Sequence, residues 1–312
     1  MKRMDYLMPD FSPLPELRPF LDQPRAMHVG APGKSGYLRM HFSLDARGES
    51  VLSELERRVP IIVQQALYFD ENIPGMPCVY ILSSGGPNVD GDRYRQEISV
   101  GRNAFAHIST GAATKIASMR YNYSALAQHI SLDEGAYLEY LPEPTIPCAH
   151  ARYVSDTLLT VAPTATLVYS EIYLSGRRHY GEGEMFAYDL LSVATTGERP
   201  DGVRLFREKY VVRPELHSPR VMGEMDGYDV FANVVVMLPE STVDALYRRL
   251  RSLPGRNRSV AVGVSHLPFG AGLQVKLLAD SSQTAKMFVR HVCSQVRQTV
   301  KGVPLPEEFV WR

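Results

Sequence analysis

The 312 residues predict a mainly β chain. The strands form an irregular stack, β-helix (solenoid) or sandwich in kind, with a small C-terminal α+β part containing two helices. Three observations carry this. Apolar and polar residues alternate with period two through most of residues 36–238, turn sequences punctuate the alternation, and an internal echo returns about every thirty residues, the spacing of repeating supersecondary units.

Residues 1–35 carry prolines at 9, 13, 15, 19, 24 and 32 and no sustained periodicity. Proline lacks an N–H and restricts its predecessor, so this stretch reads as an extended, partly ordered arm. From Tyr37 to Leu44, Leu38, Met40, Phe42 and Leu44 face one way and Arg39, His41 and Ser43 the other, a half-buried strand. Further strands read at Val79–Leu82, Tyr94–Val100, Ala104–Ser109, Ala136–Leu141, Ala165–Leu174, Val203–Val212 and Asp229–Leu238. Gly85-Gly86-Pro87-Asn88 and Arg199-Pro200-Asp201-Gly202 supply turns. The echo aligns the nine residues from Ile98 with those from Ile130 and Leu159: apolar, hydroxyl, apolar, a three-residue turn, then Ala. It reads as three related hairpins, each burying a face that its neighbour completes. A plain sandwich is the alternative.

The character changes at residue 239. Ser241 is placed as an N-cap with a stripe of Val243, Leu246, Tyr247 and Leu250, and Pro254-Gly255 ends that helix. Strands Val260–Ser265 and Leu273–Ala279 follow. A second helix starts at Asp280, with Gln283 in the capping-box position and a stripe of Ala285, Phe288, Val289, Val292, Val296 and Val300, and ends at Gly302 and Pro304. The chain thus divides into an arm (1–35), a β-rich body (36–238) and a βαββα-like part packed on it (239–312).

Composition narrows the function. Lys plus Arg (34) balance Asp plus Glu (34), which removes the chain-wide electrostatic case for nucleic acid or an anionic membrane. Apolar runs such as Val234–Leu238 are strand-sized, far below the ~20 residues of a spanning helix. Asp5, Pro9 and Asp10 interrupt any export signal, and three scattered cysteines fit a reducing compartment. The reading is a cytoplasmic protein.

Several motifs fail on spacing. Gly30-Ala-Pro-Gly-Lys34-Ser35 has His28 where a P-loop needs glycine, and it leads into a strand instead of a helix. Asn88-Val-Asp90-Gly-Asp92 opens like a calcium loop, yet its sixth residue is Arg93 and its twelfth Ser99. What remains is a glycine-rich turn with two acids, read either as Asx-turn chemistry with Asp92 paired to an arginine or as carboxylates that a cation visits. His291 and Cys293 point about 200° apart on a helix, and Cys293 reads as a packed thiol. Cys148 and His150 share a face if their segment is extended, but two ligands make no closed tetrahedral site. Glu171 stands out, because both faces of its strand are largely apolar. A carboxylate there needs a cation, a donor or a raised pKa. It belongs either to a Tyr–Glu–Arg network or to an internal polar path.

The segments taken in order resemble the urease accessory protein family UreD (UreH in some bacteria). They are Ser35-Gly-Tyr-Leu38, Glu56-Arg-Arg-Val-Pro60, Gly91-Asp-Arg93, Ala113-Thr-Lys115, Leu138-Glu-Tyr-Leu-Pro142 with Ile146-Pro147, Ser170-Glu171, Ser175-Gly-Arg177 and Trp311-Arg312. The resemblance implies a non-enzymatic chaperone of nickel insertion. It would bind apo-urease and UreF, which recruits the GTPase UreG, and would hold no stable cofactor, nickel being in transit. It also implies a transient nickel path at Asp92, Thr110, Thr114 and Glu171, with Asp90, Cys148 and His150 as weaker candidates. Exchangeable oxygen ligands suit transit better than a thiolate site. The loop Gly85–Asp90 departs from the family's usual Pro-Gly-Gly form, and Asp90 adds a charge beside Asp92. The rival function is a β-solenoid enzyme cutting a polysaccharide with Asp90 and Asp92 as paired acids.

Overall fold

A computed structural model describes residues 8–22, 33–253, 255, 257 and 259–307. Trp311-Arg312, Gly30 and Pro254 lie outside them. The chain begins with the antiparallel pair β1 (Ser35–Leu44) and β2 (Ser50–Arg58), then β3 (Ile61–Ile62) and β4 (Cys78–Ser83). Three similar passes follow. They are β5 (Arg93–Val100), β6 (Phe105–Thr110) and β7 (Thr114–Ile116); β8 (Ser124–Leu132), β9 (Tyr137–Tyr140) and β10 (Thr145–Pro147); β11 (Arg152–Val161) and β12 (Thr166–Leu174). A short hairpin, β13 (Gly176–Arg177) and β14 (Glu184–Met185), precedes β15 (Leu190–Glu198), β16 (Arg204–Val212) and β17 (Val230–Met237). The chain ends with α1 (Glu240–Leu250), β18 (Val260–His266), β19 (Gly272–Ala279) and α2 (Ser282–Val300).

The echo marks the register of this stack. Ile98 pairs with Ile130, and Ile130 with Leu159, in parallel ladders. The turn is the same in each pass: the amides of Ala104, Ala136 and Ala165 donate to the carbonyls of Gly101, Asp133 and Ala162. The passes are not hairpins, however. β5, β8 and β11 lie in a seven-stranded sheet (order β16-β15-β11-β8-β5-β1-β2), whereas β6, β9 and β12 lie in a second, ten-stranded sheet with β4, β17, β19 and β18. Each turn therefore arches from one sheet to the other, and each strand pairs with its counterpart in the next pass. Neither sheet closes on itself.

Two apolar clusters follow from the alternation. Leu38, Ile98 and Ile130 of one sheet meet Ile108, Leu138 and Leu167 of the other. On the far face of the ten-stranded sheet, Val168, Ile172 and Val234 pack against Val243 and Leu246 of α1 and Val289 and Val292 of α2. The C-terminal part is thus continuous with the body, since β18 and β19 extend the sheet through β17. Helix α1 starts at Glu240, one residue before the predicted cap, with no side-chain cap; α2 is capped by the Ser281 hydroxyl, which accepts from the Thr284 amide. The proline-rich arm is docked where it is described. Phe11 and Leu17 are buried against Ala125, Val154 and Leu190 on the outer face of the seven-stranded sheet. Glu16 accepts from Ser192 and pairs with Lys209.

Candidate functional site

The strands of the seven-stranded sheet change character along their length. The inward residues are Tyr94, Gln96, Ile98 and Val100 on β5, and Tyr153, Ser155, Thr157, Leu159 and Val161 on β11. Each begins polar and ends aliphatic. On β12, which starts just past the arch, the order is reversed: Leu167, Tyr169, Glu171, Tyr173. Facing sheets therefore close tightly at the aliphatic end and leave at the other a cavity of about 460 Å³, whose apolar wall carries hydroxyls, amides and carboxylates. Its rim is exposed chain at Ser83, Gly86, Pro87 and Gly111–Ala112. Its depth is formed by buried Gln128, Tyr140, Tyr169 and Glu171.

Glu171 is buried on both faces of its strand, as the sequence pattern required. The Tyr169 hydroxyl donates to its Oε1 at 2.8 Å, while Oε2 closes no hydrogen bond. Burial is the main cause that pushes its pKa up to about 7; Tyr169, Asn233 and Tyr173 pull it down, and Glu208 pushes it further up. The partners are tyrosine and asparagine, not the arginine of the predicted network. Behind Glu171 the hydroxyls are chained: Thr157 meets Tyr169, and Gln128 donates to both Tyr140 and Gln96. The Tyr140 and Tyr169 rings stack at 5.5 Å.

Thr110 and Thr114 line the same cavity. The Thr110 hydroxyl is occupied at the rim, donating to the Ala112 carbonyl and accepting from the Glu143 amide. Thr114 stands beside Thr145 in the β7–β10 ladder. Asp92 is fully buried and saturated. It accepts from the amides of Lys34 and Val89 and the Tyr94 hydroxyl, and pairs with Lys34 Nζ at 3.1 Å. Its partner is that lysine and not an arginine. Arg93 instead donates to the Tyr123 and Asp92 carbonyls and stacks on the Tyr123 ring. Asp92 bears on the cavity through Tyr94, a lining residue. Gly36 permits this packing, since a Cβ there would stand 2.6 Å from the Tyr94 ring. Asp90 faces elsewhere and accepts from the backbone amides of Arg120 and Asn122. Two acids so committed offer no proton donor and partner facing an open groove, which is what the polysaccharide reading needs.

Cys148 and His150 separate. The segment is not extended, because His150 has φ 58°. Cys148 is buried, whereas the His150 side chain is 70 % exposed and pairs with Asp189. Cys293 is a packed thiol, its pKa raised by burial. Among the described residues, no three His, Cys, Asp or Glu side chains gather into a metal site. What the cavity offers at its depth is the Glu171 Oε2 oxygen among hydroxyls and amides, with Glu143, paired to Lys286, nearer the rim; oxygen donors of this kind make weak and exchangeable cation contacts. Sequence reading missed Asn233, the register partner of Glu171. It is the sole polar residue within Val230–Met237, and that signal was present.

Comparison with known proteins places this chain among urease accessory proteins. A family model described as UreD urease accessory protein matches residues 34–312. The urease accessory protein UreD of Photorhabdus laumondii is 42 % identical over 299 residues, covering 96 % of this chain and 92 % of that protein. UreD 2 of Brucella suis is 40 % identical over 297 residues (95 % and 98 %), and UreD of Yersinia pseudotuberculosis 39 % over 298 (96 % and 92 %). The chain belongs to the UreD family of urease accessory proteins. Among the described residues, no helix is long and apolar enough to cross a membrane.

Proposed function

We propose that the chain is a non-catalytic maturation factor of urease, through whose polar interior nickel passes on its way to the apo-enzyme. It works as part of a complex with UreF, through which UreG joins, and with the urease structural subunits. Thr110 and Thr114 serve the entrance, Glu171 is the carboxylate within, and Asp92 holds the entrance loop. One observation carries this: a fully buried carboxylate with an oxygen that closes no hydrogen bond, at the depth of a cavity that also bears Thr110 and Thr114. A buried charge is costly unless paired, so such a group is kept for a visiting cation. Oxygen donors release nickel(II) readily, whereas a thiolate set would retain it.

The test is co-expression with urease and its other accessory proteins, reading complex formation, nickel per urease and activity together. Glu171→Gln is expected to leave the complex intact and cut nickel content at least tenfold. An intact complex with full nickel content would make the chain a scaffold and sink the transit reading.

A further inference from the structure

We infer that Glu208 is the next carboxylate on the cation route after Glu171, reached past the Asn233 amide, with Lys276 as the tethered cation that neutralises it until a metal ion arrives. This rests on the transit reading above. Glu171 pairs in register with Asn233, and Asn233 with Lys276, so the three side chains stand in one row across β12, β17 and β19. Glu208 reaches over from β16, the edge strand of the opposite sheet. It accepts from Asn233 Nδ2 at 3.3 Å, from Gln274 Nε2 and from Lys276 Nζ.

Burial falls off along this row. Glu171 and Asn233 are buried, the Glu208 side chain is 19 % exposed and that of Lys276 50 %. The row therefore leads from the cavity floor towards solvent. It ends beside a second, mostly apolar cavity of about 540 Å³, which Lys276 lines and which shares Tyr173 with the first. Glu208 is close enough to be among the causes that raise Glu171. A divalent ion at Glu171 is drawn towards Glu208 and repels Lys276, whose half-exposed ammonium swings into water. No covalent step is involved. The ion exchanges one set of oxygens for another, and lysine is the competing cation.

Three variants test this in the full-length chain. In the co-expression assay, Glu208→Gln keeps the hydrogen-bonding shape and removes the charge, and is expected to lower nickel per urease at least fivefold with the complex intact. In equilibrium dialysis of the purified chain against Ni²⁺ alone, Lys276→Met is expected to bind at least fivefold more tightly. That gain should vanish in Lys276→Met/Glu208→Gln. Wild-type nickel content in Glu208→Gln, with Glu171→Gln defective, overturns the second station and leaves the Glu171 reading standing. Wild-type content in both removes the transit reading itself. Should Glu208→Gln fail to fold, unchanged affinity in Lys276→Met overturns the inference.

Discussion

A carboxyl group moved out of water is easier to protonate, and Glu171 shows what that does to stability. Its pKa rises to about 7, chiefly through burial. The folded state then binds the proton more tightly than the unfolded state, so this group's contribution to stability is greatest below the ordinary carboxylate range. It declines as pH rises to about 7 and is constant above it. The penalty at pH 8 is on the order of 3 kcal/mol. Glu171→Gln should therefore stabilise the protein at pH 8 by up to about 3 kcal/mol and change little near pH 4. Urea unfolding at the two pH values checks this, and equal effects at both would show that Glu171 is not desolvated in solution. A residue whose removal stabilises the fold is kept for function. Glu171 was legible because apolar neighbours on both faces of one strand leave a carboxylate nowhere wet to go. Asp92 was legible as an acid in a turn, but not its partner. Lys34 lies 58 positions away, and only the parallel β1–β5 ladder, which sets Ser35 beside Arg93, brings it near.

At the scale of elements, α2 is fixed by a charge as much as by its apolar stripe. Arg297, fully buried near its C-terminal end, donates through Nε and Nη2 to both oxygens of Glu139 on β9, at 2.5 and 2.8 Å, and through Nη1 to Asp70 at 2.5 Å. Tyr137 and His107 meet the same carboxylate. Glu139 is held well below the ordinary carboxylate range, as Arg297 and His107 overcome its burial. Arg297→Met would strand two buried acids and should cost about 3–5 kcal/mol in chemical denaturation, with part recovered in Arg297→Met/Glu139→Gln. A loss below about 1 kcal/mol would mean that the apolar stripe alone holds the helix. The stripe was legible, the arginine's destination was not, since helical spacing says nothing of a strand 158 residues earlier. The strands β8, β11 and β15 were also missed as whole elements. Polar Ser124, Gln128, Ser155, Thr157 and Thr195 stand at inward positions, and apolar Ala125, Ala127 and Val154 on the outer face under the arm, so the alternation that betrays β1 is weak in them. Gln128 and Ser155 thus both line the cavity and help to hide their strands.

For the whole molecule, the echo marked the residues that become register partners but not the arches between sheets, because equal spacing fixes which residues become neighbours and leaves open whether a turn returns within a sheet or crosses to another. The crossing is set by the aliphatic ends. Val100, Leu132 and Val161 precede turns whose far sides carry Ala106, Leu138 and Leu167, and both sides belong to one cluster. Ladders built this way pass stability between neighbouring strands, since buried Ile130 is the register partner of buried Ile98 on one side and of buried Leu159 on the other. Ile130→Ala and Ile98→Ala should each cost about 2–5 kcal/mol. Because the two methyl-rich side chains share one packing site, the double variant should depart from the sum by at least about 0.5 kcal/mol. Ile98→Ala combined with Val292→Ala, on the far side of the ten-stranded sheet in the helix-facing cluster, should by contrast be additive. Denaturant titration of the three single and two double variants decides it. Additivity within the Ile98–Ile130 pair would mean that the passes do not support one another across the ladder. The polar cavity at the other end of these strands would then have to be held open by its hydrogen bonds alone.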